Sequence, residues 1–229
     1  MMRSRNLKEK PKKRLLRKRV LLKISWEALE GSREYWIEPE FIKKLAYSIK
    51  EISENNIEIA IVLGWGNIFR GLSGSAAWMD RTAADYMWML ATVMNWVAMQ
   101  DALESVWCET RLLSALDIPE VWEKYIKRRW IRHMEKWRIV ICVAGTWNPF
   151  FTTDTAWVLR SLELECDMMI KATKVDWVYT KDPNKHSDAV LIKNATYDEV
   201  IKEDIRVMDQ TWIALASERK MVLKVVSLY

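Results

Sequence analysis

The chain has 229 residues, a length that is enough for one large domain or two small ones. Half of the residues are hydrophobic, and the net charge is +5. No apolar run reaches the ~18 residues of a membrane span, the N-terminus lacks an apolar signal segment, and three separated cysteines form no disulfide framework, so we expect a soluble cytoplasmic protein with reduced thiols. Residues 1–19 hold ten Lys or Arg and one acid, which leaves the rest of the chain near −4.

The basic charge therefore belongs to a tail and not to a face of the fold. We predict a disordered tail over 1–18 and a single domain over 19–229. A basic run can contact RNA or anionic lipid. Because nucleic-acid-binding folds usually carry positive charge on the domain itself, a solvated extension is the simpler interpretation, with nucleic-acid contact by the tail as the alternative.

Strands and helices alternate along the domain. The predicted strands are 19–24, 57–63, 110–116, 138–145, 167–173, 189–193 and 222–226. The predicted helices are 38–56, 80–106, 122–136, 153–165, 197–203 and 208–219. In the first helix, Phe41, Leu45, Ile49 and Ile52 share one predicted face. The alternation indicates an α/β fold, a three-layer αβα sandwich around a mostly parallel sheet that binds ligands beyond the carboxyl ends of its strands.

Tryptophan and glycine occur in unusual numbers. The chain has 14 Trp and 6 Gly, where average usage gives about 16 Gly. Trp65, Trp137, Trp147 and Trp177 stand at turns or helix ends, which need a positive φ or no side chain. Either the protein is truly Trp-rich and stacks bases or sugars, or UGA codons that specify glycine have been translated as tryptophan. Because the indoles follow turns and not one face, the second interpretation is favoured.

Small, polar and cationic residues concentrate in four loops after predicted strands. In the first loop, Lys23 ends a strand, and Ser25 and residue 26 form a turn. With glycine at 26, backbone N–H groups can cradle a phosphate that the ammonium neutralises; a structural Lys at a strand end explains the motif equally well. The second loop has several glycines and Arg70, a bidentate phosphate ligand, but matches neither GxxxxGK[ST] nor GxGxxG.

The third loop, AGTWNPFFTTDTA, crowds threonines, Asn148 and Asp154 at a strand-to-helix junction. Thr152, Thr153 and the helix N-terminus offer donors to a base or phosphate. Asp154 also fits an ordinary first-turn acid that the helix dipole favours. Both interpretations of Asp154 stay open on this motif alone.

The fourth loop, KATKVDWVYTKDP, brings cations, carboxylates and an aromatic ring together. Lys171 and Lys174 flank a strand end, Asp176 and Asp182 offer oxygens, and Tyr179 offers a face for a purine. The Asp-Pro pair in this loop is also a plain turn signal.

Together, these loops resemble the bacterial-type UMP kinases of the amino acid kinase superfamily. The third and fourth loops are highly specific to that family, which carries glycine at most of the positions where this chain has Trp. The likeness runs in register from about residue 19 to about 227, through LLKISWEAL, VLGWGNIFRG, DYMWMLATVMNWVAMQDALE, AGTWNPFFTTDTA, KATKVDWVYTKDP and RVMDQTWIAL.

The resemblance implies ATP-dependent phosphorylation of UMP to UDP with Mg²⁺, in pyrimidine nucleotide biosynthesis. It implies a homohexamer that GTP activates and UTP inhibits, and no side chain that binds the metal directly. It divides the domain into a UMP-binding lobe over about 19–165 and an ATP-binding lobe over about 166–229. Family members usually continue past VVSLY with a helix and a final strand, so the resemblance suggests a shortened C-terminus.

Site residues carry over from the family motif by motif. The implied catalytic residues are Lys23, Arg70 and Asp154, with Asp154 as the organiser of the centre. The implied ATP-binding residues are Lys23, Ile24, Ser25, Trp26, Gly66, Arg70, Thr173, Tyr179 and Asp182. The implied UMP-binding residues are Trp65, Asp85 on the ribose hydroxyls, Thr146, Trp147, Asn148, Pro149, Phe150, Phe151, Thr152 and Thr153. The implied GTP-responsive segment is Gly31, Ser32, Arg33, Glu34, Tyr35 and Trp36.

Two other functions stay open at this point. If the indoles at 26, 65 and 147 are real, they fill the space for phosphates and uridine, and the chain becomes a non-catalytic nucleotide- or RNA-binding relative with a regulatory role. A sibling kinase that acts on glutamate, aspartate or carbamate is the other, and the FFTTD segment and Asp85 argue against it.

Overall fold

The computed structural model describes residues 17–25, 38–64, 79–173, 178–179, 188–203, 205 and 210–228. The strands in these ranges are β1 (Lys18–Ile24), β2 (Ile57–Leu63), β3 (Thr110–Ser114), β4 (Glu123–Lys124), β5 (Ile139–Val143), β6 (Met168–Thr173), β7 (Val178–Tyr179), β8 (Leu191–Ile192) and β9 (Val222–Ser227). The helices are α1 (Pro39–Ser53), α2 (Arg81–Ser105), α3 (Lys127–Glu135), α4 (Thr153–Glu163), α5 (Tyr197–Lys202) and α6 (Gln210–Glu218).

Seven strands form one sheet in the order β4-β3-β5-β2-β1-β6-β9, and every pairing in it is parallel. The register pairs Ile24 of β1 with Leu63 of β2 and with Ala172 of β6. The carboxyl ends of the central strands therefore lie level at one edge. Strands β7 and β8 pair separately as an antiparallel ribbon.

Both faces of the sheet are covered by helices, as the run of buried residues in β2 and β5 requires. On one face, α1 and α2 bury side chains such as Ile49 and Met99 against the sheet. On the other, α3, α4 and α6 bury Met134, Trp157 and Ile213. Each aliphatic side chain buried in this way contributes about 1.5–3 kcal/mol to the free energy of unfolding. This confirms the predicted three-layer αβα sandwich.

Two helices next to the carboxyl edge begin at side-chain caps. The Asp80 carboxylate accepts hydrogen bonds from the N–H groups of Thr82 and Ala83, which starts α2. Thr152 caps α4 through a reciprocal capping box with Thr155. The caps fix which residues form the first turns, and those turns reach the functional edge.

The predicted helix over 122–136 begins late, at Lys127. Glu123 pairs with Leu113 of β3 and Lys124 pairs with Ser114, so the predicted first turn is instead the short edge strand β4. Sheet pairing here overrides local helix propensity.

The buried stripe of α1 is also rotated from the predicted one. Ile52 is 44% exposed, and Phe41 is only half-buried. The stripe that packs on the sheet consists of Ile42, Leu45, Ala46 and Ile49.

A buried ion pair joins the central strands at their amino ends, opposite the cleft described below. The Arg19 guanidinium donates from Nε to Glu58 at 2.8 Å, and the Arg19 backbone N–H donates to Asp167 at 2.9 Å. Breaking such a pair leaves an uncompensated buried charge, so this contact serves the fold. No helix in the described ranges combines the length and apolarity of a membrane span.

Candidate active site

A cleft opens at the carboxyl edge of the sheet, between α2 and the loop from β5 to α4. Ligands bind at this edge in parallel α/β sheets. Five of the residues with an implied UMP contact line it: Asp85, Thr146, Phe151, Thr152 and Thr153. Trp88, Met89 and Thr92 of α2 form the opposite wall.

The loop beyond β5 is held in an unusual backbone conformation. Ala144, Gly145, Trp147 and Phe150 have φ values of 57°, 59°, 57° and 70°. Residues other than glycine adopt this left-handed region only a few per cent of the time, and backbone strain of this kind clusters at functional sites. The strained backbone therefore indicates that residues 144–150, which form this rim of the cleft, belong to the candidate functional site.

Asp85 ties the strained loop to α2. Its side chain is buried, and its carboxylate accepts a hydrogen bond of 2.7 Å from the Phe150 N–H. Arg81, one turn earlier on the helix, donates from Nε to the same carboxylate at 2.9 Å. Asp85 therefore holds the loop in place, and any contact with a ribose shares the carboxylate with these donors.

A cationic pair spans the two central strands beside the cleft. Lys23 of β1 and Lys171 of β6 are register partners. Both lie on the face that α4 covers, and Asp154 stands in the first turn of α4. Asp154 forms an ion pair with Lys23 and lies 3.8 Å from the Lys171 ammonium. One carboxylate thus holds two like charges together, and the three groups carry a net positive charge.

The N-terminus of α4 adds to this positive potential. The dipole of the helix favours anions at its first turn. With the two lysines, the arrangement suits phosphate groups, because ammonium ions and N–H donors bind phosphate oxygens with charge-assisted hydrogen bonds.

Three of the other residues with an implied ATP contact, Ile24, Ser25 and Thr173, lie at or near the ends of β1 and β6. The Ser25 N–H donates to the Ala172 carbonyl at 3.1 Å, and Thr173 ends β6. The Ile24 side chain is buried in the core, so a nucleotide can reach only its backbone. Tyr179 lies in the separate two-stranded ribbon, half-buried.

Within the third loop, the remaining residues are partly open. The Asn148 N–H donates to the Thr146 hydroxyl at 3.2 Å, and the Asn148 side chain donates to the Thr146 carbonyl at 3.2 Å. Pro149 is half-buried, and Phe150 and Phe151 are exposed.

Several predicted residues lie outside the described ranges. They are Trp26, Gly31, Ser32, Arg33, Glu34, Tyr35, Trp36, Trp65, Gly66, Arg70 and Asp182.

Sequence reasoning missed two buried polar residues that hold the loop glycines. Asn95 of α2 is fully buried and donates to the Gly64 carbonyl at 2.9 Å. Arg160 of α4, also buried, donates to the Gly145 carbonyl at 3.3 Å. Each is a polar side chain on the inner face of its helix, and that position was the available signal, because buried polar groups need partners.

Among the described residues that line the cleft, Asp85 is the one charged side chain, and the cations Lys23 and Lys171 lie beside the cleft, paired with Asp154. Burial raises the pKa of the Cys142 thiol, so this cleft residue stays protonated and is a poor nucleophile. Within the described ranges, no three His, Cys, Asp or Glu side chains gather as a potential metal cage. The site is built to position and neutralise anions.

The profile of the amino acid kinase family matches residues 18–227. The chain belongs to the amino acid kinase family. A curated uridylate kinase from Paramagnetospirillum magneticum is 51% identical to this chain over 212 residues, which cover 93% of this chain and 88% of that protein. The crystal structure of UMP kinase from Bacillus anthracis aligns with a TM-score of 0.87 at 33% identity, covering 92% of this chain and 87% of the other. The structure of UMP kinase from Ureaplasma parvum aligns with the same TM-score and identity, covering 93% and 90%.

These relatives confirm the resemblance and the fold class inferred from the loops. The role of each residue in this protein stays a prediction.

We expect Asp85→Ala to loosen the strained loop, because the Phe150 N–H and Arg81 lose their shared acceptor. Chymotrypsin should cut after Phe150 and Phe151 at least several-fold faster than in the parent chain. Asp101→Ala, an exposed position on the same helix, is the matched control and should leave the cleavage rate unchanged. Equal rates for all three proteins would show that Asp85 does not anchor the loop.

Proposed function

We propose that this protein transfers the γ-phosphoryl group of ATP to UMP, giving UDP and ADP, as a step of pyrimidine nucleotide biosynthesis. The observation that carries the proposal is the pair Lys23 and Lys171, bridged by Asp154 beside a cleft with a helix N-terminus. The names of the relatives, uridylate kinase and UMP kinase, support the choice of UMP as acceptor.

The chemistry needs little covalent help from the protein. An oxygen of the UMP phosphate attacks the γ-phosphorus, and ADP leaves with the electrons of the broken P–O bond. Positioning and charge neutralisation therefore set the rate. Lys23 stabilises charge on the transferred group, and Asp154 organises the centre by fixing both ammonium groups. Arg70 is proposed to fix the phosphates.

The two substrates are proposed to meet over the bridged lysines, UMP from the lobe over 19–165 and ATP from the lobe over 166–229. The UMP side is proposed to consist of the cleft rim, namely position 65, Asp85, Thr146, position 147, Asn148, Pro149, Phe150, Phe151, Thr152 and Thr153. The ATP side is proposed to consist of Lys23, Ile24 through its backbone, Ser25, position 26, Gly66, Arg70, Thr173, Tyr179 and Asp182.

Mg²⁺ is proposed to enter with ATP. The site carboxylate, Asp154, is engaged by two lysines, which fits a metal held by phosphate oxygens and water more than by a protein cage. Bound in that way, the ion neutralises phosphate charge. We place the activity in the cytoplasm, where ATP is available and the three buried cysteines, which are free thiols, stay reduced.

The alternatives weighed from the sequence are less well supported. A non-catalytic regulatory relative is not favoured, because a uridylate kinase matches the chain at 51% identity over 93% of its length. A sibling kinase for amino acid or carbamate substrates lacks a comparable observation in its favour.

Replacing Lys23 tests the proposed chemistry. We expect Lys23→Met to lower kcat by about 10²–10³-fold in a coupled assay of ADP release, because one preorganised cation is lost. The thermal midpoint should stay near that of the parent chain. The substitution is made in whichever background turns over faster, the tryptophan sequence or its glycine counterpart at 26, 65 and 147.

Lys18→Met is the matched control, since Lys18 is an exposed residue of the same strand. It should leave kcat unchanged. Near-normal turnover of Lys23→Met would refute the role given to Lys23.

The protein is also proposed to assemble as a homohexamer. Helix α2 carries four large apolar side chains, each between 37% and 49% exposed: Tyr86, Leu90, Met94 and Val97. Their spacing of four, four and three residues forms one stripe, which is typical of a helix face that packs on a partner. GTP is proposed to activate the hexamer through the segment 31–36, and UTP is proposed to inhibit it.

Charges on this stripe should break the assembly. We expect Leu90→Glu with Met94→Glu to reduce the sedimentation coefficient to that of a smaller species, because burying two carboxylates in an apolar contact is costly. Ile201→Glu, which changes a similarly exposed apolar residue on α5, should leave it unchanged. An unaltered sedimentation coefficient for the double variant would show that the interface lies elsewhere.

A further inference from the structure

Three of the nine tryptophans in the described ranges have a left-handed backbone. Trp107, Trp137 and Trp147 have φ values of 69°, 63° and 57°. Residues other than glycine adopt this region only a few per cent of the time, and the exceptions are mostly Asn, Asp and His. A left-handed backbone brings Cβ close to the following carbonyl oxygen, so three bulky indoles at such positions in one chain are outliers.

Two of these positions close helices in the way that glycine normally does. After α2, the Cys108 N–H donates to the Leu103 carbonyl, and the Trp107 N–H donates to Glu104, both at 3.0 Å. This pair of bonds defines the Schellman motif, whose left-handed residue is usually glycine. Trp137 occupies the same position after α3. The Arg138 N–H donates to the His133 carbonyl at 3.1 Å, and the Trp137 N–H donates to the Met134 carbonyl at 2.9 Å.

The Trp107 indole makes no buried contact that would stabilise its left-handed backbone. It is 90% exposed, so neither packing nor burial offsets the strained backbone. The third position, 147, lies in the loop at the cleft rim, where the indole packs on the Tyr86 ring with centroids 5.1 Å apart.

We propose that positions 107, 137 and 147 carry glycine in the protein as its own cell makes it, through UGA codons read as glycine. Reading glycine codons as tryptophan would lower the number of glycines and raise the number of tryptophans, and the chain has 6 glycines and 14 tryptophans. The backbone geometry supports it independently of composition, because φ at these positions is set by the helix ends and by the loop.

At position 147 the proposal extends to ligand binding, and this part rests on the proposed function. Glycine there lets residue 147 hold its left-handed conformation without a penalty from Cβ. A Cβ at a left-handed position costs about tenfold in the population of that conformation. Because apparent affinity scales with the competent fraction, residue 147 acts as a positioning residue for UMP.

The identity of the three residues is tested on protein purified from its native source. Peptides from two proteases of different specificity, together with the intact mass, should show the mass of glycine at 107, 137 and 147. Indole mass at these positions would overturn the proposal.

The backbone preference is tested in recombinant chains. Trp107→Gly should melt about 3 °C above Trp107→Ala, since both lose the indole and only alanine keeps the strained Cβ. Lys220, a left-handed residue with the same hydrogen-bond pattern after α6, supplies the reference difference through Lys220→Gly and Lys220→Ala. An alanine variant at 107 as stable as the glycine variant would contradict the backbone argument.

The site effect is tested by calorimetry with UMP. In a chain that carries glycine at 26 and 65, Trp147→Gly should bind UMP about tenfold more tightly than Trp147→Ala, with ATP affinity unchanged. Equal affinities would remove the positioning role. Glycine mass in the native protein together with no UMP binding by a chain with glycine at 26, 65 and 147 would overturn the proposed function and leave the glycine assignment intact.

Discussion

The ion-pair cluster of Lys23, Asp154 and Lys171 is the interaction on which the functional architecture depends. Two ammonium groups on neighbouring strands repel each other, and a single carboxylate offsets that repulsion from above. Because one negative charge faces two positive charges, the cluster is stable without ligand and still attracts an anion. That balance suits a site that must bind, transfer and release phosphoryl groups.

The fold supplies the cluster through ordinary packing rules. Helix α4 packs on the sheet face that carries Leu21 and Met169, and the period of two along a strand puts Lys23 and Lys171 on the same face. The cap at Thr152 fixes the first turn, so Asp154 lies above both lysines. Buried donors from Asn95 and Arg160 then hold the glycines where two loops begin. Core packing, capping and loop anchoring converge on one edge of the sheet.

Most strands and helices and the position of the third loop were predictable from the sequence, because the hydrophobic periodicities of this chain are strong. The strand over 57–63 is predicted to the residue, and the third loop stands where parallel sheets bind ligands. The strand β4 was missed because its two residues carry no periodicity and form only through pairing with β3. The bridge from Asp154 to Lys171 could not be read from spacing, since it depends on the register between β1 and β6. The need for positive φ at 137 and 147 was predicted from turn chemistry and is confirmed.

Transfer of a labelled γ-phosphoryl group tests the central claim most directly. ATP labelled at the γ-phosphorus is incubated with the enzyme, Mg²⁺ and an equimolar mixture of UMP, aspartate, glutamate and carbamate, and the labelled products are separated. Label in the β-phosphate of UDP, and in no other acceptor, is the expected result. Label on an amino acid or carbamate, or label that stays in ATP with the glycine form of the chain, would contradict the assignment of the bridged lysines to phosphoryl transfer onto UMP.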